Sequence, residues 1–283
     1  GREHVVVSTN AIDAAFIATM LFFFFLGVYW LARYAVLFGR SAKWGWAFLI
    51  APATLAGLER GAIDTALTAL TIGFALYLRE QSLFRLFLVL VLAGLCRETG
   101  LLLILACAGS SLLEKSWTRL ALSCASLLPA LAWYGYLRMH SPADTGLNLL
   151  RLPFTDLFQN LLHNDVSYIK SGAFLVLFTY YLAVFGVLFA FLLSVWLSFK
   201  GWRNAEGLAA LAFTMTGLLL QPAGFWIQAY HFGRVLAPLL VLLGLEYFRT
   251  GDWRKALPAC MVSPGILLVS AASALRVAKH LGM

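Results

Sequence analysis

Residues 171–199 read SGAFLVLFTYYLAVFGVLFAFLLSVWLSF, without a single charge. An α-helix rises 1.5 Å per residue, so about 20 apolar residues cross a hydrocarbon core about 30 Å thick. This stretch exceeds that length, and it has no polar face of the kind a soluble surface helix keeps. It reads as a helix whose solvent is lipid.

The rest of the chain agrees. Of 283 residues, 61% are hydrophobic and 12% are charged, and the mean hydropathy is +0.84. An ordinary soluble domain carries about twice that charged fraction. One soluble core could not hide this much apolar surface. The expected fold is therefore all-α, a polytopic integral membrane helical bundle. Ten apolar segments can be read, at 14–38, 44–58, 62–78, 83–96, 100–113, 120–137, 171–199, 208–227, 235–247 and 256–275. Pro222 is expected to end or bend the eighth. Together, residues 1–283 read as one transmembrane domain of nine or ten helical segments. Segments such as 44–58 and 83–96 are too short to cross lipid unaided, which hints at a protein-lined cavity beside their ends.

The net charge of +8 does not indicate nucleic acid. Basic residues fall singly or in pairs between apolar runs, the pattern of loops facing anionic headgroups. Loops holding Arg40 and Lys43, Arg79 and Arg85, Lys115 and Arg119, Lys200 and Arg203, and Arg249, Arg254 and Lys255 read as cytoplasmic. Arg60, Arg97 and Arg234 then lie outside, with the N-terminus and the loop over 138–170. That loop is expected to carry short interfacial helices, for example at 157–162. Arg276 and Lys279, also outside, count against this arrangement. A helix continuous across Arg97 and Glu98 is the rival, but it would mix the basic loops between sides.

Cys96, Cys107, Cys124 and Cys260 form no C-x-x-C pair and read as buried small hydrophobes. His163-x-Asp165 is a weak metal pattern, and no cofactor or metal is expected. No hydrolase or nucleotide-binding motif is present. Arg33 reads as snorkelling to the inner interface. Trp44, Trp46, Trp117, Trp133, Tyr134, Tyr136, Trp202 and Trp253 fit interfacial anchoring. Gln221, Trp226, Gln228 and Tyr230 cluster beside His231, where they would line a groove or belong to the interface belt. No signal peptide is visible. The chain opens Gly1-Arg2-Glu3-His4 without Met, and the natural protein is expected to extend further.

Ionisable residues near membrane depth are functional suspects. Glu59, Arg60 and Asp64, then Arg97 and Glu98, then His231 and Arg234 come from distant stretches yet share one predicted side. Arginine forks match phosphate oxygens, and the carboxylates could accept sugar hydroxyls or a proton. The competing reading is a set of ion pairs, such as Arg97 with Glu59 or Asp64, that only tie helix ends together.

The runs Glu59-Arg60-Gly61-Ala62-Ile63-Asp64, Leu95-Cys96-Arg97-Glu98-Thr99-Gly100 and Phe232-Gly233-Arg234-Val235-Leu236-Ala237-Pro238 carry a resemblance, together with Leu128-Pro129-Ala130 and Trp133-Tyr134. The pattern, over about residues 60–240, resembles the multi-pass glycosyltransferases of the GT-C superfamily, especially bacterial members. The resemblance implies a polyprenyl-phosphate-linked sugar as donor and membrane lipid as surroundings. It implies transfer to a lipid, glycan or protein acceptor on the non-cytoplasmic face of a bacterial plasma membrane. Family members carry a catalytic Asp or Glu in the first outer loop. Here that acid is expected upstream of residue 1. Two other readings stay open: a transporter or flippase of lipid-linked sugars, and a non-catalytic membrane subunit.

Overall fold

A computed structural model describes residues 9–54, 57, 63–140, 174–219, 225–226 and 229–280. Glu59, Arg60, Pro222, Gln221, Gln228, the His163-x-Asp165 pair and the 157–162 stretch lie outside the described residues. Among the described residues every regular element is helical and no strand occurs. The chain is an all-α bundle with helices long and apolar enough to cross a membrane.

The elements are α1 (Thr9–Leu37), a 3-10 helix (Ala42–Ile50), α2 (Asp64–Arg79), α3 (Leu83–Cys96), α4 (Leu101–Leu113), α5 (Trp117–His140), α6 (Phe174–Phe199), α7 (Ala205–Leu219), α8 (Ala229–Val235), α9 (Ala237–Thr250) and α10 (Leu257–His280). Three of them, α1, α5 and α6, are long and apolar enough to be single spans among the described residues, and α8 with α9, bent by 63°, has the length and composition of a broken span or a re-entrant loop. The helices α3 and α7 are apolar but hold only 14 and 15 residues. The apolar run at 44–58 is not an α-helix at its start; it is a 3-10 turn folded back on α1.

At the centre stands α2. Its residues from Asp64 to Tyr77 are all buried, against α1, α3 and α9. The sequence DTALTALTIGFALYLR permits this because Ala66, Ala69, Gly73 and Ala75 let neighbouring backbones come close. Its threonines need no water. Thr68 Oγ1 donates to the Asp64 carbonyl at 2.7 Å, Thr71 Oγ1 to Leu67 at 2.9 Å, and Thr65 Oγ1 to Ala53 at 3.0 Å. Asp64 in the first turn and Arg79 in the last complement the helix dipole. They mark two ends of the bundle about 22 Å apart at 1.5 Å per residue.

The helices α2, α3, α4 and α5 alternate in direction between these ends. The helices α3 and α4 form a hairpin. Leu83 and Leu86 at the start of α3 share a cavity with Ser116 and Arg119, just past α4. At the other end Gly94 faces Ile104 and Leu101. The chain therefore reverses at Arg97–Gly100 and does not run on as one helix, so the continuous-helix topology is excluded. Basic residues at 79, 85, 115, 119, 200, 249 and 254 gather at the Arg79 end.

Several side chains depart from expectation. Trp202 is buried beneath the bundle's Arg79 end, and so is not an interfacial anchor. Trp226 and Tyr230 are both buried in the core, Trp226 against Phe225 and Phe232, so neither lines a groove or joins a belt. The Tyr180 hydroxyl donates to the Trp226 carbonyl at 2.7 Å and holds it there. Cys107 is buried as expected, but Cys124 and Cys260 sit on the exposed surface. Arg33 does not merely snorkel: it pairs with Glu80 and lies 5.7 Å over the Tyr29 ring.

Candidate functional site

Two breaks in regular structure build a corner at the Asp64 end. The first follows α3. Arg97 is extended, with φ −160° and ψ 151°, and a 3-10 turn over Glu98–Gly100 leads into α4. Gly100 donates its N–H to the Arg97 carbonyl at 2.8 Å. A Cβ on Gly100 would overlap the Ala93 carbonyl, so the tight reversal depends on glycine there. The second break separates α8 from α9. Pro238 lacks an N–H and its ring opposes the carbonyl four residues earlier, that of Arg234. The helix bends there, and Arg234 sits at the elbow.

Both arginines converge on Asp64. Arg97 Nη1 pairs with Asp64 Oδ1, and Arg234 Nε lies 3.0 Å from Oδ2. Asp64 is 4% exposed, while the arginine side chains are 24% and 27% exposed. The Arg234 guanidinium also lies 5.5 Å over the Tyr230 ring. Burial pulls the Arg97 guanidinium below its ordinary pKa, Arg234 adds to that, and Glu98 opposes it. The arrangement is rich in donors. Two guanidiniums bring about ten N–H groups to one carboxylate with about four acceptor sites.

The corner opens into a cavity of about 490 Å³ lined by Asp64, Arg97, Glu98, Trp133, Tyr134 and Arg234 among others. That volume is within the range of small-molecule sites, about 300–1,000 Å³. Tyr134 is fixed by its hydroxyl, which donates to the Gly94 carbonyl at 3.0 Å. Trp133 is half-exposed and stacks on Tyr136 with ring centroids 6.0 Å apart. Glu98 is exposed at the rim. The structure thus gathers Asp64, Arg97, Glu98 and Arg234 from three separate stretches. His231 sits on α8 beside Tyr230 but does not line the cavity. No group of three or more potential metal ligands occurs among the described residues.

The opposite end holds a charged network that the sequence reading passed over. Glu206 is buried between Arg79, whose Nε donates at 3.0 Å, and Asn204, whose Nδ2 donates at 3.3 Å. Glu246, also buried, accepts from Arg249 Nε at 2.6 Å and from Lys255 Nζ at 3.0 Å. The first pair ties α2 to α7, and the second ties α9 to the turn that follows it, about 22 Å from the cavity. Glu246 carried a legible signal, being a carboxylate inside the apolar run 235–247.

Compared with known protein families, curated proteins and solved structures, the chain matches none.

Proposed function

We propose that the chain is a membrane glycosyltransferase, or part of one, of the GT-C kind. It takes a sugar from a polyprenyl phosphate and transfers it to a lipid, glycan or protein acceptor. The reading puts the cavity on the non-cytoplasmic face of a bacterial plasma membrane and the basic end in the cytoplasm. One observation carries it. Arg97 and Arg234 meet at the mouth of a cavity of about 490 Å³, with more N–H donors than Asp64 can accept. An anionic phosphate takes up that surplus.

Chemically, an acceptor oxygen attacks the anomeric carbon and the bond from that carbon to the phosphate oxygen breaks. The polyprenyl phosphate leaves with the electron pair, and the acceptor proton passes to a carboxylate. Arg97 and Arg234 stabilise the charge that grows on the leaving phosphate. Asp64 is clamped by both arginines, which suits it to positioning them and not to taking a proton. Glu98 at the rim is placed to accept hydrogen bonds from sugar hydroxyls. Among the described residues the proton-accepting carboxylate is left unassigned.

The test uses proteoliposomes holding the protein, a labelled polyprenyl phosphate sugar and a mixed acceptor pool. Transfer releases free polyprenyl phosphate and moves label to an acceptor. Movement of intact donor between leaflets, without cleavage, would favour a flippase and defeat the proposal.

A further inference from the structure

A second cavity, of about 260 Å³, lies at the basic end between the α2–α3 turn and the start of α5. Its polar lining is Tyr77, Gln81, Ser116, Thr118 and Arg119, and no carboxylate lines it. Ser116, half-buried, and Thr118, exposed, bring hydroxyls to the lining. Arg119 gives only Nη1 to a neighbour, the exposed Glu114 at 2.8 Å. Arg85 adds charge nearby, its guanidinium 5.7 Å over the Tyr77 ring and 3.6 Å from Glu80. Lys115 and Arg33 bring the local balance to four basic groups against Glu80 and Glu114.

The cavity also has an apolar border. Leu83, Phe84, Leu113 and Trp117 flank it in sequence and are all exposed. In a membrane bundle such residues face acyl chains, and tryptophan marks the headgroup level. Two hydroxyls, a cation with donors to spare and an apolar rim thus meet at one place. A headgroup bearing its own cation finds no carboxylate in the lining to answer it.

We propose that this cavity binds the phosphate of an anionic phospholipid from the leaflet at the basic end. Arg119, Ser116 and Thr118 hold the phosphate oxygens, and the acyl chains run over Phe84 and Trp117. The bound lipid bridges the α2–α3 turn to the start of α5. This inference does not rest on the glycosyltransferase reading.

The experiment titrates the purified full chain with short-chain phosphatidylglycerol, phosphatidylcholine or inorganic phosphate, and counts bound molecules by native mass spectrometry. Phosphatidylglycerol should bind at least fivefold more tightly than phosphatidylcholine. Arg119→Gln should weaken it on the order of fivefold, the effect of one basic residue at a membrane surface. Thr118→Val, which leaves every charge in place, should weaken it also. Glu114→Gln should leave binding unchanged or tighter, because Arg119 is then wholly available. Arg254→Gln removes an exposed charge at the same end, outside the cavity, and should change nothing. Equal binding of the two lipids would overturn the proposal, as would an Arg254→Gln loss matching that of Arg119→Gln. Displacement of phosphatidylglycerol by equimolar inorganic phosphate would overturn the assignment to a lipid.

Discussion

Replacing Asp64 by Asn keeps the shape of the side chain and removes its charge. Two guanidiniums would then face each other with only the exposed Glu98 as counter-charge, in a site where the carboxylate was 4% exposed. A charge pair at about 4 Å and an effective dielectric of about 20 interacts by about 4 kcal/mol. Removing one partner of a buried pair costs about 3–5 kcal/mol. The arginine side chains keep about a quarter of their surface in solvent, which screens part of this. The expected loss is therefore at the low end, about 3 kcal/mol. For a chain of this size it corresponds to about 6–12 °C in melting temperature. Tryptophan fluorescence during thermal unfolding in detergent would measure it. Adding Arg234→Gln to Asp64→Asn removes the surplus cation, so the double variant should recover at least about 1 kcal/mol over additivity. A loss below about 1 kcal/mol for Asp64→Asn, with no recovery in the double variant, would refute the closed triad.

Other consequences follow from the same geometry. Glu206→Gln leaves Arg79 without its counter-charge and should cost about 2–4 kcal/mol, while donor binding about 22 Å away stays unchanged. Loss of donor binding there would mean that the two ends are coupled. Gly100→Ala forces the turn away from the Ala93 carbonyl and should cost about 1–3 kcal/mol, with a larger loss of donor affinity than its stability loss implies. Wild-type donor affinity in Gly100→Ala would show that the turn does not set the site. Single cysteines at positions 115 and 200, in a cysteine-free background, should label from the cytoplasm, and one at 99 only from the opposite side. Labelling of 99 and 115 from one side would break the proposed topology.

How much of this was legible depended on what each residue answers to. Lipid as solvent acts on whole segments, so α5, α6 and the all-helical character of the described residues could be read from hydropathy. The short helices α3 and α4 were visible as apolar runs, and the cavity beside their ends follows from their length. Asp64, Arg97 and Arg234 could be named because ionisable groups at membrane depth are rare. That both arginines share one carboxylate was not readable, since it depends on how Gly100 and Pro238 bend separate segments. The ion pair of Arg97 with Asp64, weighed as an alternative to a ligand site, is present. The site proposal now rests on the donors left over. Trp226 and Tyr230 were misplaced because an aromatic between two apolar helices has the same local pattern whether it meets lipid or protein. Glu206 was missed because it follows a basic loop and looked like a solvated charge, whereas Arg79 from α2 reaches it.

The proposed function requires the arginine corner to hold the phosphate of a lipid-linked sugar. The direct measurement is the affinity of the full chain for a polyprenyl phosphate sugar, wild type beside Arg97→Lys, with both melting temperatures. Lysine keeps the charge toward Asp64 but loses the planar fork. The expected result is an affinity loss of about 1–3 kcal/mol, the worth of one charge-assisted hydrogen bond, beside a smaller drop in stability. Unchanged donor affinity with a lowered melting temperature would contradict it and leave Arg97 as the partner of Asp64 alone.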